Sequence, residues 1–213
     1  MATVTGNSNR WRRLSTVSIA IGCAVLTGGA PLVLANGFSG IGIPGRREGA
    51  GTRSTCMVGG AQSVPLLPVI PESQLGVTLE GYPTFFWYLP QSKASAAQFV
   101  LYDRYRGQEL YRTTLSLVNA PGIASFQLPN DGSVRIPRTG LEVGKTYYWT
   151  LTLLCNNPLD PSDRSGDLRV QGFVQRVNPP RGFQEKVRSS NERDLPALYA
   201  AQGIWHETLT SLT

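Results

Sequence analysis

The chain has few of the side chains that carry chemistry: one histidine, His206, and three cysteines among 213 residues. A Ser, His and Asp triad would have to be built on that single imidazole, and no Gly-any-Ser-any-Gly turn exists to hold a serine toward it. Zinc sites made of Cys and His need several such residues at short spacings, so counting excludes them. Charge is also scarce. Only 16% of residues are charged, and the formal +6 is spread along the chain rather than striped on one face, which gives no footprint for nucleic acid. The Gly-rich stretch carrying Arg46 and Arg53 lacks the Gly-Lys-Ser/Thr ending of a phosphate loop. These absences leave no catalytic, cofactor-binding or metal-binding residue to assign, and no cofactor is expected.

What is present begins with an address. A polar start without acids ends in Arg10, Arg12 and Arg13, and an apolar run follows from Leu14 to Leu26. After Gly28 and Gly29, Val33 and Ala35 place small or aliphatic residues ahead of Asn36 in the pattern that a signal peptidase reads. Cleavage after Ala30 would put Pro31 behind the scissile bond, so the cut is expected between Ala35 and Asn36. An uncleaved anchor, a lipoprotein signal at Cys23 and a twin-arginine signal at Arg12 and Arg13 are the competing assignments. The Ser, Thr and Gly content makes a poor anchor, apolar residues continue well beyond Cys23, and nothing downstream calls for prefolded, cofactor-loaded export. A membrane is therefore expected to be met only through this segment, if it stays uncleaved. Cleavage removes three arginines and no acid, lowering the formal charge by three.

Cys23 leaves with the signal, so Cys56 and Cys155 are the two cysteines of the mature chain. In an oxidising compartment they are expected to pair, the alternative being two independent buried thiols.

Hydrophobic periodicity divides the remainder. Residues 36–61 form a Gly-rich basic linker without helical or alternating pattern. Residues 62–178 carry short alternating runs separated by turn residues. Leu75, Val77 and Leu79 make one; Phe85, Phe86, Trp87, Tyr88 and Leu89 are apolar on both faces and read as a central strand. Further runs fall at 99–102, 110–118, 123–128 and 168–177, with Asn119 in a turn. Leu141, Gly144 and Tyr147 at the head of a long alternating strand are similar to the tyrosine corner of immunoglobulin-like and fibronectin-like domains, with Tyr147, Trp149, Leu151 and Leu153 facing the core. The expected fold class is therefore mainly β: an immunoglobulin-like or fibronectin-like antiparallel β-sandwich with a short C-terminal helical tail. In that tail, residues 179–213, the period changes to about 3.6. Phe183 and Val187 lie on one turn and Leu195, Leu198, Tyr199, Trp205, Leu209 and Leu212 on a longer face. Ser189 with Glu192 matches a capping box, Pro196 suits a first turn, and Gly203 weakens the middle.

The residues that remain as chemical candidates read most simply as structural. His206, beside Trp205, is expected exposed or flanking a helix. Asp160, Asp163 and Asp167 lie in one loop, but Arg164 among them dilutes a calcium site and turn capping is favoured. Glu80, Glu109 and Glu142 fit solvated strand ends. Trp87 and Tyr88 would suit sugar stacking if exposed, although the unbroken apolar run favours the core.

Several segments together resemble a family of exported cyanobacterial proteins known as domain of unknown function 928. The resemblance rests on Gly45, Arg46, Arg47, Gly49, Gly51, Thr52, Arg53 and Cys56, on Tyr82 to Trp87 with Pro90 and Gln91, and on Leu141 to Tyr147 before Trp149. It continues through Cys155, Asn156, Pro158, Asp163, Arg164, Ser165, Asp167 and Gly172 to Leu198, Tyr199, Gly203, Ile204 and Trp205. The chain departs in carrying Pro196 and in stopping soon after Leu212, so a shortened last helix is expected. The resemblance implies a shared fold and an envelope or extracellular location, and supplies no activity.

Without a catalytic set, the expected function is that of an exported, non-catalytic interaction module of the cell envelope or exterior, whose partner is an envelope or extracellular protein or a polysaccharide. A carbohydrate-binding module and an exported hydrolase working through two carboxylates are the alternatives. Intact-mass analysis of the exported protein should give a chain that starts at Asn36; a mass retaining residues 1–35 would turn the segment into an anchor.

Overall fold

The computed structural model describes residues 56–58, 64–117, 121–155 and 162–213. The signal segment with its Ala35–Asn36 junction, the basic arm up to residue 55, the turn at Asn119 and Asp160 lie outside the described residues.

The alternating runs form eight strands: β1 (Leu67–Pro68), β2 (Leu75–Thr78), β3 (Thr84–Leu89), β4 (Ala96–Asp103), β5 (Glu109–Ser116), β6 (Gly122–Gln127), β7 (Thr146–Leu154) and β8 (Leu168–Arg176). They assemble into a three-stranded sheet in the order β1-β3-β6 and a five-stranded sheet in the order β2-β8-β7-β4-β5. The run that is apolar on both faces, β3, is indeed central in its sheet. Pairing is antiparallel except between β2 and β8, which run parallel. The departure from a purely antiparallel sandwich has a simple basis: nearly the whole domain separates these two strands, so no tight turn dictates their relative direction.

The core forms where the sheets face each other. Phe85 and Trp87 of β3 meet Phe99 of β4 and Trp149 of β7, with ring centroids 5.0 to 6.5 Å apart in tilted, edge-on and stacked arrangements. All four rings are at most 1% exposed, and each such side chain contributes roughly 1.5–3 kcal/mol through burial. Along β7 the period of two is strict on the inner side, with Tyr147, Trp149, Leu151 and Leu153 buried. The Tyr147 hydroxyl accepts a 3.0 Å hydrogen bond from the Glu142 backbone N–H, closing the corner ahead of the strand. Gly172 of β8 pairs with Trp149 across the sheet, and a Cβ there would come within 2.6 Å of the indole.

The tail is broken into short pieces: α1 (Phe183–Ser189), a single 3-10 turn (Glu192–Asp194), α2 (Leu195–Ala201) and α3 (Trp205–Thr210). Pro196 sits in the first turn of α2 as expected. The capping box does not form; Ser189 ends α1 and its hydroxyl bonds the Lys186 carbonyl instead. Gly203 takes a positive φ of 70° and separates α2 from α3, so the anticipated continuous face becomes two short helices in contact with each other. Among the described residues no helix is long and apolar enough to cross a membrane.

Cys56 and Cys155 are joined by a disulfide with Cα atoms 5.6 Å apart. Cys56 lies beside the loop after β3, where Lys93 N–H bonds its carbonyl and Val58 N–H bonds Gln91. The bridge thus fastens the end of the basic arm to the end of β7. Replacing Cys56 with Ser reopens a loop spanning 99 positions, and should lower unfolding free energy by about 4–5 kcal/mol in urea titration; an unchanged midpoint would show that the bridge is dispensable.

Candidate binding face

The sequence assigned no catalytic residue, and the structure shows where several chemically capable side chains lie among the described residues. His206 is not exposed, as its helix-flanking position suggested, but 3% accessible. Its Nδ1 lies 2.8 Å from the Thr84 carbonyl and therefore carries the proton. Nε2 has no hydrogen-bond partner, and the ring stands edge-on to Phe85 and lies against Gly76. Burial pushes its pKa down to about 4, so the ring stays neutral near pH 7. The reason is that α3 packs against the edge strand β2 and against β3, pointing three consecutive side chains at different segments. Trp205 Nε1 donates to the Val69 carbonyl at 2.9 Å. Glu207 Oε1 accepts from Thr78 Oγ1 at 2.5 Å and from the backbone N–H groups of Leu79 and Glu80 at 3.1 and 3.3 Å. This clasp ties the tail to both sheets along the β2 edge.

Several of the acidic residues are similarly committed. Glu109 pairs with Arg112, while Lys145 bridges Glu142 at 3.1 Å and Asp103 at 2.9 Å. Asp167 Oδ1 accepts the Cys155 N–H and its other oxygen pairs with Arg164; Asp163 accepts the Ser165 N–H. That loop holds backbone, and no group of three His, Cys, Asp or Glu is placed to hold a metal among the described residues. A cleft of about 470 Å³ between the tail and the ends of β2 and β8 is lined by Arg176, Arg188, Tyr199 and a single carboxylate, Glu80. It lacks the facing carboxyl pair that hydrolysis of a glycoside requires.

Trp87 cannot stack on a sugar, because it is 0% exposed in the core. Aromatic surface is nonetheless available elsewhere, on the outer face of the five-stranded sheet. Strand register brings Tyr102 of β4 opposite Tyr148 of β7, and Tyr148 opposite Phe173 of β8. All three are half-buried and point outward, since their strand neighbours point in. Ring centroids are 5.7 Å apart for the first pair and 5.4 Å for the second. The row is extended by the β4–β5 hairpin. Arg104 places its guanidinium 5.0 Å from the Phe173 ring centroid and 5.7 Å from that of Tyr105, which is 77% exposed.

Local bonds fix this tip. Asp103 Oδ1 accepts the N–H groups of Tyr105 and Arg106 at 2.9 and 3.1 Å. The bond from Lys145 holds the Asp103 carboxyl below the usual carboxylate range, helped by these backbone bonds and opposed by burial. Beside the row, the Tyr148 hydroxyl donates to Gln171 Oε1 at 2.6 Å, and Gln175 Nε2 donates to Gly144 O. The face is thus a line of rings bordered by amides and arginine. Sequence reasoning missed it because the three row aromatics lie on different strands; outward positions on the strands were the available signal, and only pairing register aligned them.

A family model described as Domain of Unknown Function (DUF928) matches residues 48–213. A search of curated proteins finds no match.

The buried imidazole makes stability pH-dependent. His206 has a folded pKa of about 4 against an unfolded value near 6.5, so its full contribution is present above about pH 6.5 and is lost as pH falls toward 4. The loss should reach about 3 kcal/mol. Glu207 acts oppositely, because burial raises its pKa and its contribution declines as pH rises. Asn at position 206 keeps a donor for Thr84 without titrating, so His206→Asn should flatten the acid limb of urea midpoints measured from pH 7 to 4. An unaltered limb would assign it to other groups.

Proposed function

The chain belongs to the DUF928 family, and we propose that it works as an exported, non-catalytic binding module of the cell envelope or exterior that holds a polysaccharide on the outer face of its five-stranded sheet. The observation that carries this reading is the outward row of Tyr102, Tyr148 and Phe173, set by strand register with Gln171 and Gln175 alongside. Pyranose rings present C–H faces that pack on aromatic rings and hydroxyls that bond amides, so a polar chain of sugars meets both chemistries at once. The rings lie half-buried against the sheet, which favours an extended polymer laid across them over a deep pocket. The arrangement of two sheets with a tyrosine-corner bond at Tyr147 supports an immunoglobulin-like sandwich as the frame. Export is supported by the N-terminal pattern ending at Ala35 and by the Cys56–Cys155 bridge.

Isolated envelope material should retain the mature protein, and Tyr148→Ala should weaken retention about tenfold while Tyr148→Phe preserves most of it. Periodate oxidation of the envelope, which destroys vicinal diols, should release the protein, whereas protease treatment should leave it bound. Release by protease alone would replace the polysaccharide with a protein partner.

A further inference from the structure

Charge on the same face narrows the ligand, an inference that rests on the polysaccharide reading. On the outer side of the five-stranded sheet the acidic residue Glu109 is paired with Arg112, whose Nη1 also bonds Gln98 at 2.5 Å. Arg104 has no carboxylate partner among the described residues; its guanidinium sits between the rings of Phe173 and Tyr105. Arg106 is exposed in the same tip, and Arg169 is exposed on β8, four positions before Phe173 and therefore on its face. The aromatic row therefore runs between cations, Arg104 and Arg106 on one side and Arg169 on the other, none of which pairs with a carboxylate among the described residues.

The tip that carries two of them is held in place before any ligand arrives. Asp103 caps Tyr105 and Arg106, Gly107 N–H bonds the Asp103 carbonyl at 3.0 Å, and Lys145 anchors Asp103 itself. Lys145 is thereby spent inside the fold, leaving Arg104 and Arg106 as the outward charges. A guanidinium matches a carboxylate with two parallel N–H bonds, which a neutral hydroxyl cannot equal.

We infer that the ligand is an acidic polysaccharide whose carboxylate-bearing sugars stack on Tyr102 and Tyr148 while their carboxylates engage Arg104. A lipid surface is the less fitting anionic partner, since rings half-buried on a sheet do not project far enough to enter acyl chains. An acidic protein would satisfy the arginines and leave the amide-bordered row without a matching ligand.

The test is affinity electrophoresis of the mature, disulfide-bonded protein through gels containing polygalacturonate, a neutral β-glucan or neither, with co-sedimentation on phosphatidylglycerol vesicles alongside. Polygalacturonate should retard the protein strongly and the neutral glucan at least tenfold less in apparent affinity, roughly the increment of one charge-assisted pair. Salt on the order of 0.5 M should remove most of that difference, because exposed charge pairs are screened. Arg104→Gln, at an exposed turn position, should abolish the preference for the acidic polymer, whereas Tyr148→Ala should reduce retardation by both polymers. Equal retardation by both polymers, unaffected by Arg104→Gln, would overturn the acidic assignment and leave the polysaccharide reading standing. Retardation that ignores Tyr148→Ala, or vesicle binding as strong as polygalacturonate binding, would overturn both.

Discussion

The Trp149 indole lies against Gly172 on the neighbouring strand, and the remaining architecture is organised around that contact. With a Cβ at Gly172 only 2.6 Å from the ring, any other residue would push the indole into Phe85, Trp87 or Phe99, which surround it from both sheets. The strand that carries Trp149 thus becomes the axis of the molecule. Its inner residues fill the core, Tyr147 near its start accepts the Glu142 N–H, its end receives the disulfide, and its outer residue Tyr148 is the middle ring of the outward aromatic row. Core packing and the outward aromatic row are two sides of one strand, separated by a single step of the pleat.

A second link joins the corner to the surface. Lys145 immediately precedes β7 and reaches Asp103, the residue that orders the β4–β5 tip. The same segment whose Tyr147 locks the fold therefore also positions Arg104 and Tyr105. At the opposite edge of the same sheet, the tail packs against β2. Its Trp205, His206 and Glu207 side chains tie elements of both sheets together, which explains why the chain's lone histidine is unavailable for chemistry.

Much of this was legible in the residues. The alternation of Tyr147, Trp149, Leu151 and Leu153, the apolar run from Phe85 to Leu89 and the turn chemistry between strands located most strands to within a few residues, because a period of two is a local property. Glu207 and His206 were not legible, since a helix buried end-on breaks the usual association of polar residues with solvent. Trp87 was ambiguous for the same reason in reverse: an aromatic looks alike in a core and in a sugar site until the facing sheet is known.

What the sequence determined by itself was the class of structure, the placement of strands and tail, and the poverty of catalytic groups. Those depend on composition and short-range pattern. The parallel pairing of β2 with β8, the depth of His206 and the alignment of Tyr102, Tyr148 and Phe173 into one row were decided only by tertiary structure. Each depends on which distant segments become neighbours, and that is fixed by the collective packing of two sheets around Trp149 and not by any local preference of the chain.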